Sequence, residues 1–323
     1  MKILKIIYSH NHLNHQPGHE IDKGKFIENY DKPERIERIR EKLIVHEMGD
    51  FLEPMDFPTS YLYTVHSSTY IEWLKNKSNS LKKNEEYFPE VFGYDRCFDT
   101  GTPIMRNTFE QAWLSAKIAL SGAKLILEDE DFVYCLCRPP GHHANSVYCG
   151  GYCYFNNAAM SAFYLVKEGF DVAILDLDFH HFNGTQDIFY NSNLLTISIH
   201  GHPKWAYPWI SGYEWENGEE DGLGYNINIP LEKGTEIDEY SRSLELALTE
   251  IEDYDPDFLI VSLGFDTHID DPQGDFNLRT DDYELIGKMI GEAGYPTLFI
   301  QEGGYNPEAS ANAALKFFKG VLK

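Results

Sequence analysis

The chain has 323 residues, 42% of them apolar and 24% charged, a composition typical of globular proteins and not of disordered ones. Its 27 Lys and Arg residues against 52 Asp and Glu residues give a formal net charge of −25, which argues against nucleic acid or an anionic membrane surface as partner and favours cationic ligands. The five cysteines form no Cys-x-x-Cys pair and no apolar run reaches about 20 residues, so we expect no cysteine zinc site, no membrane span and a reducing, cytoplasmic setting.

Strand and helix signals begin at the first residues. The run 1–7 is interrupted by lysines, which is typical of a first β-strand and not of a signal peptide. A helix is predicted from Pro33 to a stop at Gly49. Its apolar face carries Ile36, Ile39, Leu43 and Ile44. A second short helix is predicted from Ser67 or Ser68.

The middle of the chain is polar and then strongly helical. Residues 76–105 contain scattered Pro, Gly and Asp, so we interpret them as one long loop. A long helical pattern follows at 108–127.

Five short apolar runs alternate with helical stretches over the rest of the chain. The runs lie at 132–136, 172–175, 194–199, 258–263 and 297–300, and the helical stretches at 156–168, 238–252, 281–291 and 308–322. This alternation predicts an α/β protein with a mostly parallel central sheet and helices on both of its faces. We interpret residues 1–323 as one domain, with a boundary near residue 130 as the alternative.

Chemically useful side chains follow each of these runs. Ligands of open α/β sheets bind beyond the carboxyl ends of the strands. The residues at those ends are His142 and His143, Asp176, Asp178 and His180, His200 and His202, Asp266 and His268, and Tyr305. Randomly placed His, Asp and Tyr residues would not all follow the carboxyl ends of strands, so we expect a functional site at this edge of the sheet.

The clearest ligand pattern is Asp178-x-His180. Residues two apart in an extended segment point to the same face, so both side chains can reach one cation, and Asp266 is the best third ligand. Two carboxylates and one imidazole leave a coordination position open, as in catalytic metal sites. The alternative is that Asp178 and His180 only cap a strand and a helix.

His142, His143 and Tyr305 are candidate catalytic residues. The histidines follow Pro139-Pro140-Gly141, and one of them can take a proton from water while the other holds or delivers one. Asp176 and Asn183 are candidate partners for their second ring nitrogens. Tyr305 follows two glycines and offers a hydroxyl donor for an oxyanion, although a packed aromatic is the alternative.

Taken together, the motifs resemble the histone deacetylase-like amidohydrolases of the arginase/deacetylase fold. The matching segments are 138–144, 150–153, 176–181, 262–266 and 302–305. The stretch 180–190 resembles bacterial acetylpolyamine amidohydrolases and class II-like deacetylases. The resemblance extends over most of the chain and is clearest from about residue 97 onward.

The resemblance implies a set of roles. Zinc, with ferrous iron as the alternative, would be held by Asp178, His180 and Asp266. Water would be activated beside His142 and His143, which Asp176 and Asn183 orient, and Tyr305 would stabilise the oxyanion. Asn183 replaces the Asp of some members, which would leave His143 a weaker base; the resemblance does not decide which histidine is the general base.

The resemblance also implies cation sites and a substrate channel. Structural potassium would lie at Asp176, Asp178, His180, Ser198 and Ile199, and a second potassium near Phe189, Ser192, Leu195 and Tyr225. Tyr152 and Tyr207 match aromatic channel walls, and Gly151 matches a carbonyl that accepts the substrate amide N–H. Asp99 is the candidate rim carboxylate for a cationic amine, with a solvated loop residue as the alternative.

Several departures and alternatives accompany the match. Phe182 replaces a small residue of the family pattern, and the loop at 84–106 looks shorter than a dimer-forming insertion, so a homodimer is left open. The expected activity is removal of acetyl or another short acyl group from a small cationic amine, first of all an acetylpolyamine. The alternatives are an acetyl-lysine protein deacetylase, a manganese guanidino hydrolase with His268 at a second metal, and a catalytically silent binding module.

Overall fold

The computed structural model describes residues 4–91, 96–128 and 130–323. Its centre is a sheet of eight parallel strands in the order β10-β9-β8-β11-β12-β7-β1-β4. These strands are β1 (Leu4–Ile7), β4 (Gly49–Leu52), β7 (Phe132–Cys135), β8 (Val172–Asp176), β9 (Leu195–Gly201), β10 (Asn226–Leu231), β11 (Phe258–Leu263) and β12 (Thr297–Gln301). Two antiparallel pairs lie apart from it, β2 (His19–Asp22) with β3 (Lys25–Glu28), and β5 (Glu86–Tyr87) with β6 (Ile104–Met105).

Helices cover both faces of the sheet, as the sequence predicts. They are α1 (Glu34–Val45), α2 (Ser68–Ser80), α3 (Thr108–Ile126), α4 (Asn157–Lys167), α5 (Asn183–Phe189), α6 (Ile237–Tyr254), α7 (Asp282–Ala293) and α8 (Pro307–Val321), with short 3₁₀ turns at His10–Asn14, Thr59–Thr64 and Glu220–Gly222. Successive residues of a strand point to opposite faces of the sheet and pack into two separate hydrophobic cores. Tyr134 packs with α1, α6, α7 and α8 residues on one face, and Val133 and Cys135 pack with α2, α3 and α4 residues on the other. The central strands are therefore buried on both sides, which explains their uninterrupted apolar runs.

Strand β1 joins the two halves of the sequence. Lys5 pairs with Val133 on one side and with Asp50 on the other, so one sheet includes strands from both sides of residue 130. The five cysteines are free and buried. Among the described residues, no helix has the length and apolar content needed to cross a membrane.

Several elements differ from the sequence prediction. Gly49, predicted to stop a helix, is the first residue of β4, because α1 ends at Val45 and the chain turns immediately into a short strand. The predicted loop at 76–105 contains the end of α2 and the β5–β6 pair, while its residues 92–95 lie outside the described part. Strand β10 was not predicted, because its polar and apolar residues alternate at a sheet edge, and neither were α5 or the β2–β3 hairpin.

Candidate active site

Four neighbouring strands deliver the candidate residues to one edge of the sheet. Strands β8, β11, β12 and β7 are adjacent in that order. Their carboxyl ends lead to Asp176–His180, to Asp266, to Glu302–Tyr305 and to His142–His143 respectively. Because the strands are parallel, all four ends meet at one place, as the sequence predicts.

Asp178, His180 and Asp266 form a compact group of metal-ligand type. One ligand atom from each lies within 4.8 Å of the other two. His180 Nδ1 is 3.2 Å from Asp178 Oδ1 and 3.0 Å from Asp266 Oδ2. Both carboxylates are completely buried. Two buried negative charges this close together are costly unless a cation balances them.

The surrounding backbone fits around the ligand atoms. The Gly303 N–H donates to Asp178 Oδ2 at 2.7 Å, and the Phe179 N–H donates to Asp266 Oδ1 at 2.9 Å. A Cβ on Gly303 would lie 2.2 Å from Asp266 Oδ2 and 2.5 Å from Asp178 Oδ2. Only glycine therefore leaves room for these carboxylates, and the donor set fits a divalent cation such as zinc or ferrous iron.

The titration of the group follows from its burial and its two close carboxylates. Burial, together with the neighbouring Asp178 charge, raises the pKa of Asp266 to about 7. Burial lowers the pKa of His180, but the hydrogen bonds and charges of Asp178 and Asp266 outweigh it and raise that pKa to about 10. A divalent cation between these groups would favour the ionised carboxylates and the neutral imidazole.

The two adjacent histidines have different partners. The imidazole Nδ1 of His142 lies 3.0 Å from Asp176 Oδ2, whereas Nδ1 of His143 lies 2.6 Å from the amide oxygen of Asn183. Their ring centroids are 4.0 Å apart. Burial lowers the pKa of His142, but Asp178 and Asp176 raise it to about 10. Burial and the neighbouring His142 and His180 lower the pKa of His143 well below its usual value.

Glu302 supports the His142 backbone and was not singled out by sequence. It is fully buried, and its Oε2 accepts hydrogen bonds from the Gly141 N–H at 2.6 Å and the His142 N–H at 3.2 Å. Burial raises its pKa to about 8. In the sequence, Glu302 is marked only as part of the family-like segment 302–305, and nothing in that segment indicates contact with residue 141.

Arg35 of α1 supports Tyr305 and was likewise missed. Its Nε donates to the Gly304 carbonyl and Nη2 donates to the Glu302 carbonyl, each at 2.6 Å. Its guanidinium carbon lies 4.5 Å from the centre of the Tyr305 ring, and its Nη1 pairs with Asp31. The Tyr305 N–H donates to Asp271 Oδ2 at 2.6 Å. The loop that carries the phenol is therefore fixed from two sides.

A cavity of about 500 Å³ opens onto the site. Its lining includes His143, Gly151, Tyr152, His180, Tyr207 and Tyr305. Gly151 has φ +56°, and a Cβ there would lie 2.1 Å from the His143 ring. The Gly151 carbonyl accepts a hydrogen bond from the Cys153 thiol at 3.3 Å. The Tyr207 ring packs edge-on against His143, with ring centroids 4.9 Å apart.

Asp99 lines the same cavity, but its oxygens are engaged within the protein. Oδ2 accepts from the Tyr207 hydroxyl at 2.6 Å and from the Gly151 N–H, and Oδ1 accepts from the Gly101 N–H at 3.0 Å. The carboxylate therefore holds the cavity wall together. It is less free to bind an amine than the sequence interpretation assumed.

The residues expected to bind potassium lie after β8, around the end of α5, within β9 and just before β10. Ser198 pairs with Asp176 across the sheet, next to Ile199, and its hydroxyl hydrogen-bonds with His200 Nδ1 at 2.7 Å. In the second group, the Phe189 carbonyl accepts from the Ser192 N–H at 2.9 Å and the Tyr225 carbonyl from the Thr196 N–H at 2.8 Å. Leu195 begins β9 beside them.

Two further residues lie outside the cavity lining. Phe182 is fully buried against His181, with ring centroids 5.3 Å apart, so it fills the interior and does not shape the channel. The His268 ring contacts Thr280 through Nε2 and accepts the Asp270 N–H through Nδ1. Within the described part of the chain, His268 belongs to no group of three ligand-type side chains whose ligand atoms lie within 4.8 Å of one another.

Known proteins with similar sequences and structures cover nearly the whole chain. Residues 29–321 match the family model of the histone deacetylase domain. Acetylpolyamine amidohydrolase 2 of Pseudomonas aeruginosa is 39% identical over 340 residues, covering 98% of each chain. Histone deacetylase 8 of Arabidopsis thaliana is 32% identical, covering 94% of this chain and 85% of that protein. The crystal structure of an acetylpolyamine aminohydrolase from Burkholderia pseudomallei matches with a TM-score of 0.93 at 32% identity, covering 99% of this chain and 98% of that one.

Proposed function

Because the chain belongs to the histone deacetylase family, it is a hydrolytic deacetylase of amides, and we propose that its substrates are acetylated polyamines. The observation that carries this choice is the acidic wall of the cavity, which includes Glu20, Asp22, Asp99 and Asp275. Such a wall attracts a substrate that keeps a protonated amine at its other end. The acetylpolyamine amidohydrolases among its relatives support the same choice.

The metal would be held by Asp178, His180 and Asp266, whose ligand atoms and burial suit it. When bound, a zinc or ferrous ion supplies Lewis acidity, which polarises an amide carbonyl and makes water more acidic.

The hydrogen bonds of the histidine pair assign different tasks to its members. The Asn183 amide oxygen only accepts, so His143, which lines the cavity, donates to it through Nδ1 and keeps its lone pair on Nε2. His143 is therefore the general base that takes a proton from the attacking water. The Asp178 and Asp176 carboxylates stabilise the charged form of His142, and that form would add positive charge beside the developing oxyanion.

Tyr305 donates its hydroxyl to that oxyanion. Burial raises its pKa well above the usual value, so the phenol stays protonated and remains a donor. Tyr152, whose ring centroid lies 5.5 Å from that of Tyr305, and Tyr207 form the walls along which the acyl amide lies. The Gly151 carbonyl accepts the substrate N–H.

Potassium would bind at the two groups of oxygen-bearing residues described above. The first group is Asp176, Asp178, His180, Ser198 and Ile199, and the second is Phe189, Ser192, Leu195 and Tyr225. Because the first group shares Asp176 and Asp178 with the site, its ion would brace the residues that hold the metal and orient His142.

A side-by-side turnover assay tests the proposal. Enzyme loaded with zinc, and separately with ferrous iron, is given N-acetylputrescine, N-acetylspermidine and an acetyl-lysine peptide. We expect turnover of both polyamines, with higher kcat/KM than for the peptide. A preference for the peptide would contradict the substrate and identify a protein deacetylase instead.

The metal-site variant Asp178→Ala is the matched control. We expect it to lose both bound metal, measured by elemental analysis, and turnover. Unchanged metal content in this variant would refute the ligand set.

A further inference from the structure

A second group of ligand-type side chains lies beside the catalytic one. One ligand atom from each of His142, Cys153 and Glu302 lies within 4.8 Å of the other two. Cys153 and Glu302 are fully buried, and His142 is 3% exposed. His142 Nε2 lies 3.9 Å from Asp178 Oδ1, so the two groups are neighbours although they share no residue. The second group comes from three separate segments of the chain, which is why no cysteine spacing in the sequence indicates it.

Glu302 keeps one oxygen free for a ligand. Its Oε2 accepts the N–H groups of Gly141 and His142. Its Oε1 is also buried, and within the described ranges of the chain it has no hydrogen-bond partner. A buried carboxylate oxygen without a partner is costly. Its place beside a thiol and an imidazole therefore indicates that a cation fits among the three.

The other two side chains have partners that suit metal binding. His142 Nδ1 lies 3.0 Å from Asp176 Oδ2, and metal-binding histidines usually have such a carboxylate on the ring nitrogen that does not bind the metal. The Cys153 thiol donates to the Gly151 carbonyl at 3.3 Å. A thiol is a weak donor, so little is lost when its sulfur exchanges this hydrogen bond for a metal.

The donor atoms distinguish the second group from the catalytic group, which offers only oxygen and nitrogen. The second group offers sulfur, nitrogen and oxygen, all of which bind zinc in proteins. Thiolate sulfur favours soft cations. Zinc and softer ions such as cadmium therefore suit the second group, whereas alkali and alkaline-earth cations do not.

We propose that His142, Cys153 and Glu302 form a second metal site, for zinc or a softer divalent cation, and that its occupation stops hydrolysis. Binding releases the Cys153 thiol proton to solvent, and the thiolate and the Glu302 carboxylate balance the charge of the cation. The cation also replaces a proton of the His142 ring, which then no longer holds or delivers one during the reaction. This inference goes beyond the proposed function, because the site binds no part of the substrate.

Cadmium titration of the zinc-loaded enzyme tests the site directly. A cadmium–thiolate bond gives an ultraviolet charge-transfer band, which oxygen and nitrogen ligands do not give. Exchange of cadmium into the catalytic group therefore adds nothing to the band. We expect the band to grow with added cadmium until a single cadmium ion per chain is bound through sulfur. Absence of the band with excess cadmium would overturn the proposal.

Cys153→Ala and Cys137→Ala are the matched pair of variants. Each removes one buried thiol, but the Cys137 thiol donates to the Ser115 carbonyl at 3.5 Å and, among the described residues, belongs to no group of three ligand-type side chains. We expect Cys153→Ala to abolish the band and Cys137→Ala to retain it. A band that survives in Cys153→Ala would place the cation at another cysteine and refute the site.

Glu302→Gln tests the site without removing its sulfur. The amide is a poorer ligand than the carboxylate, so we expect cadmium to bind at least about tenfold more weakly, with the same band at saturation. Zinc content, measured by elemental analysis, shows that each variant keeps the catalytic group and hence the fold. Unchanged cadmium affinity in Glu302→Gln would exclude the carboxylate as a ligand and contradict the three-residue site.

Turnover of N-acetylputrescine provides an independent measurement. We expect excess zinc to inhibit wild type and Cys137→Ala, whereas Cys153→Ala keeps the rate that it has without added zinc. Equal inhibition of all three proteins would overturn the inhibitory role. If wild type hydrolyses none of the acetylated amines, the proposed function fails, and the cadmium band still decides whether the second site exists.

Discussion

At the scale of single residues, two adjacent histidines differ because of the charges beside them. The carboxylates of Asp178 and Asp176 favour the charged ring of His142, and the amide oxygen of Asn183 gives no such support to His143. Burial therefore decides the pKa of His143 and lowers it. Because its pKa is lowered, His143 is a weaker base than an ordinary histidine, but it keeps its neutral, proton-accepting form at lower pH.

Asn183→Asp tests this assignment through pH dependence. A carboxylate at 183 would favour the charged form of His143 and raise its pKa by about 1 to 3 units. Because the neutral ring is the active form, the acidic limb of the kcat/KM profile should move to higher pH. The measurement is a pH profile of wild type and variant. An unmoved limb would exclude His143 as the base that titrates there.

Tyr305→Phe tests the oxyanion donor. Loss of one such donor costs roughly 2.7–4 kcal/mol, so we expect kcat to fall about 100- to 1,000-fold. Metal content and the thermal unfolding midpoint should stay near wild type, because the ring remains. The control is Tyr283→Phe, which removes another buried phenol, one that hydrogen-bonds with Thr267 away from the cavity. Turnover of Tyr305→Phe near wild type would contradict the mechanism.

At the scale of elements, helix α1 fixes the loop that follows β12. Arg35 donates to the carbonyls of Glu302 and Gly304 and pairs with Asp31, all out of solvent. The guanidinium fork serves several acceptors at once, which a lysine could not do. The position of the Tyr305 phenol therefore depends on a helix from the opposite end of the chain.

Arg35→Met is expected to lower the free energy of unfolding by about 3–5 kcal/mol, because it leaves the buried Asp31 charge with one cation fewer. Urea unfolding measures the change. Arg38→Met is the control on the same helix, since its side chain is 56% exposed and, among the described residues, forms an ion pair only with Glu41. It should cost less than about 1 kcal/mol. Equal effects of the two substitutions would refute the structural role of Arg35.

At the scale of the whole molecule, the net charge of −25 should act on the substrate before contact. A negative surface raises the local concentration of cations, and salt screens that attraction over about 10 Å at 0.1 M. We expect kcat/KM for N-acetylspermidine to fall as ionic strength rises from about 0.02 to 0.5 M, whereas kcat/KM for neutral N-pentylacetamide stays nearly constant. If kcat/KM changed equally for both substrates, the salt effect would come from the protein fold and not from attraction of the charged substrate.

The fold class, the family and the residues at the strand ends could all be predicted from the amino-acid sequence. Strands buried on both faces must be apolar throughout, so β7, β8, β11 and β12 are visible as uninterrupted runs. Parallel strands bring their carboxyl ends together, so Asp178, His180 and Asp266 could be grouped before any contact was known. The confirmed resemblance to histone deacetylases came from the same segments.

The other side chains that meet at the site became known only from the folded structure. Arg35 and Glu302 act through partners far away in the chain, and local patterns carry no information about such pairs. Asp99 shows the reverse case, because its charge was visible in the sequence but the hydrogen bonds that its oxygens accept were not. Burial and hydrogen bonding are properties of packed surroundings, so which carboxylate remains free for a ligand is settled only when the chain is folded.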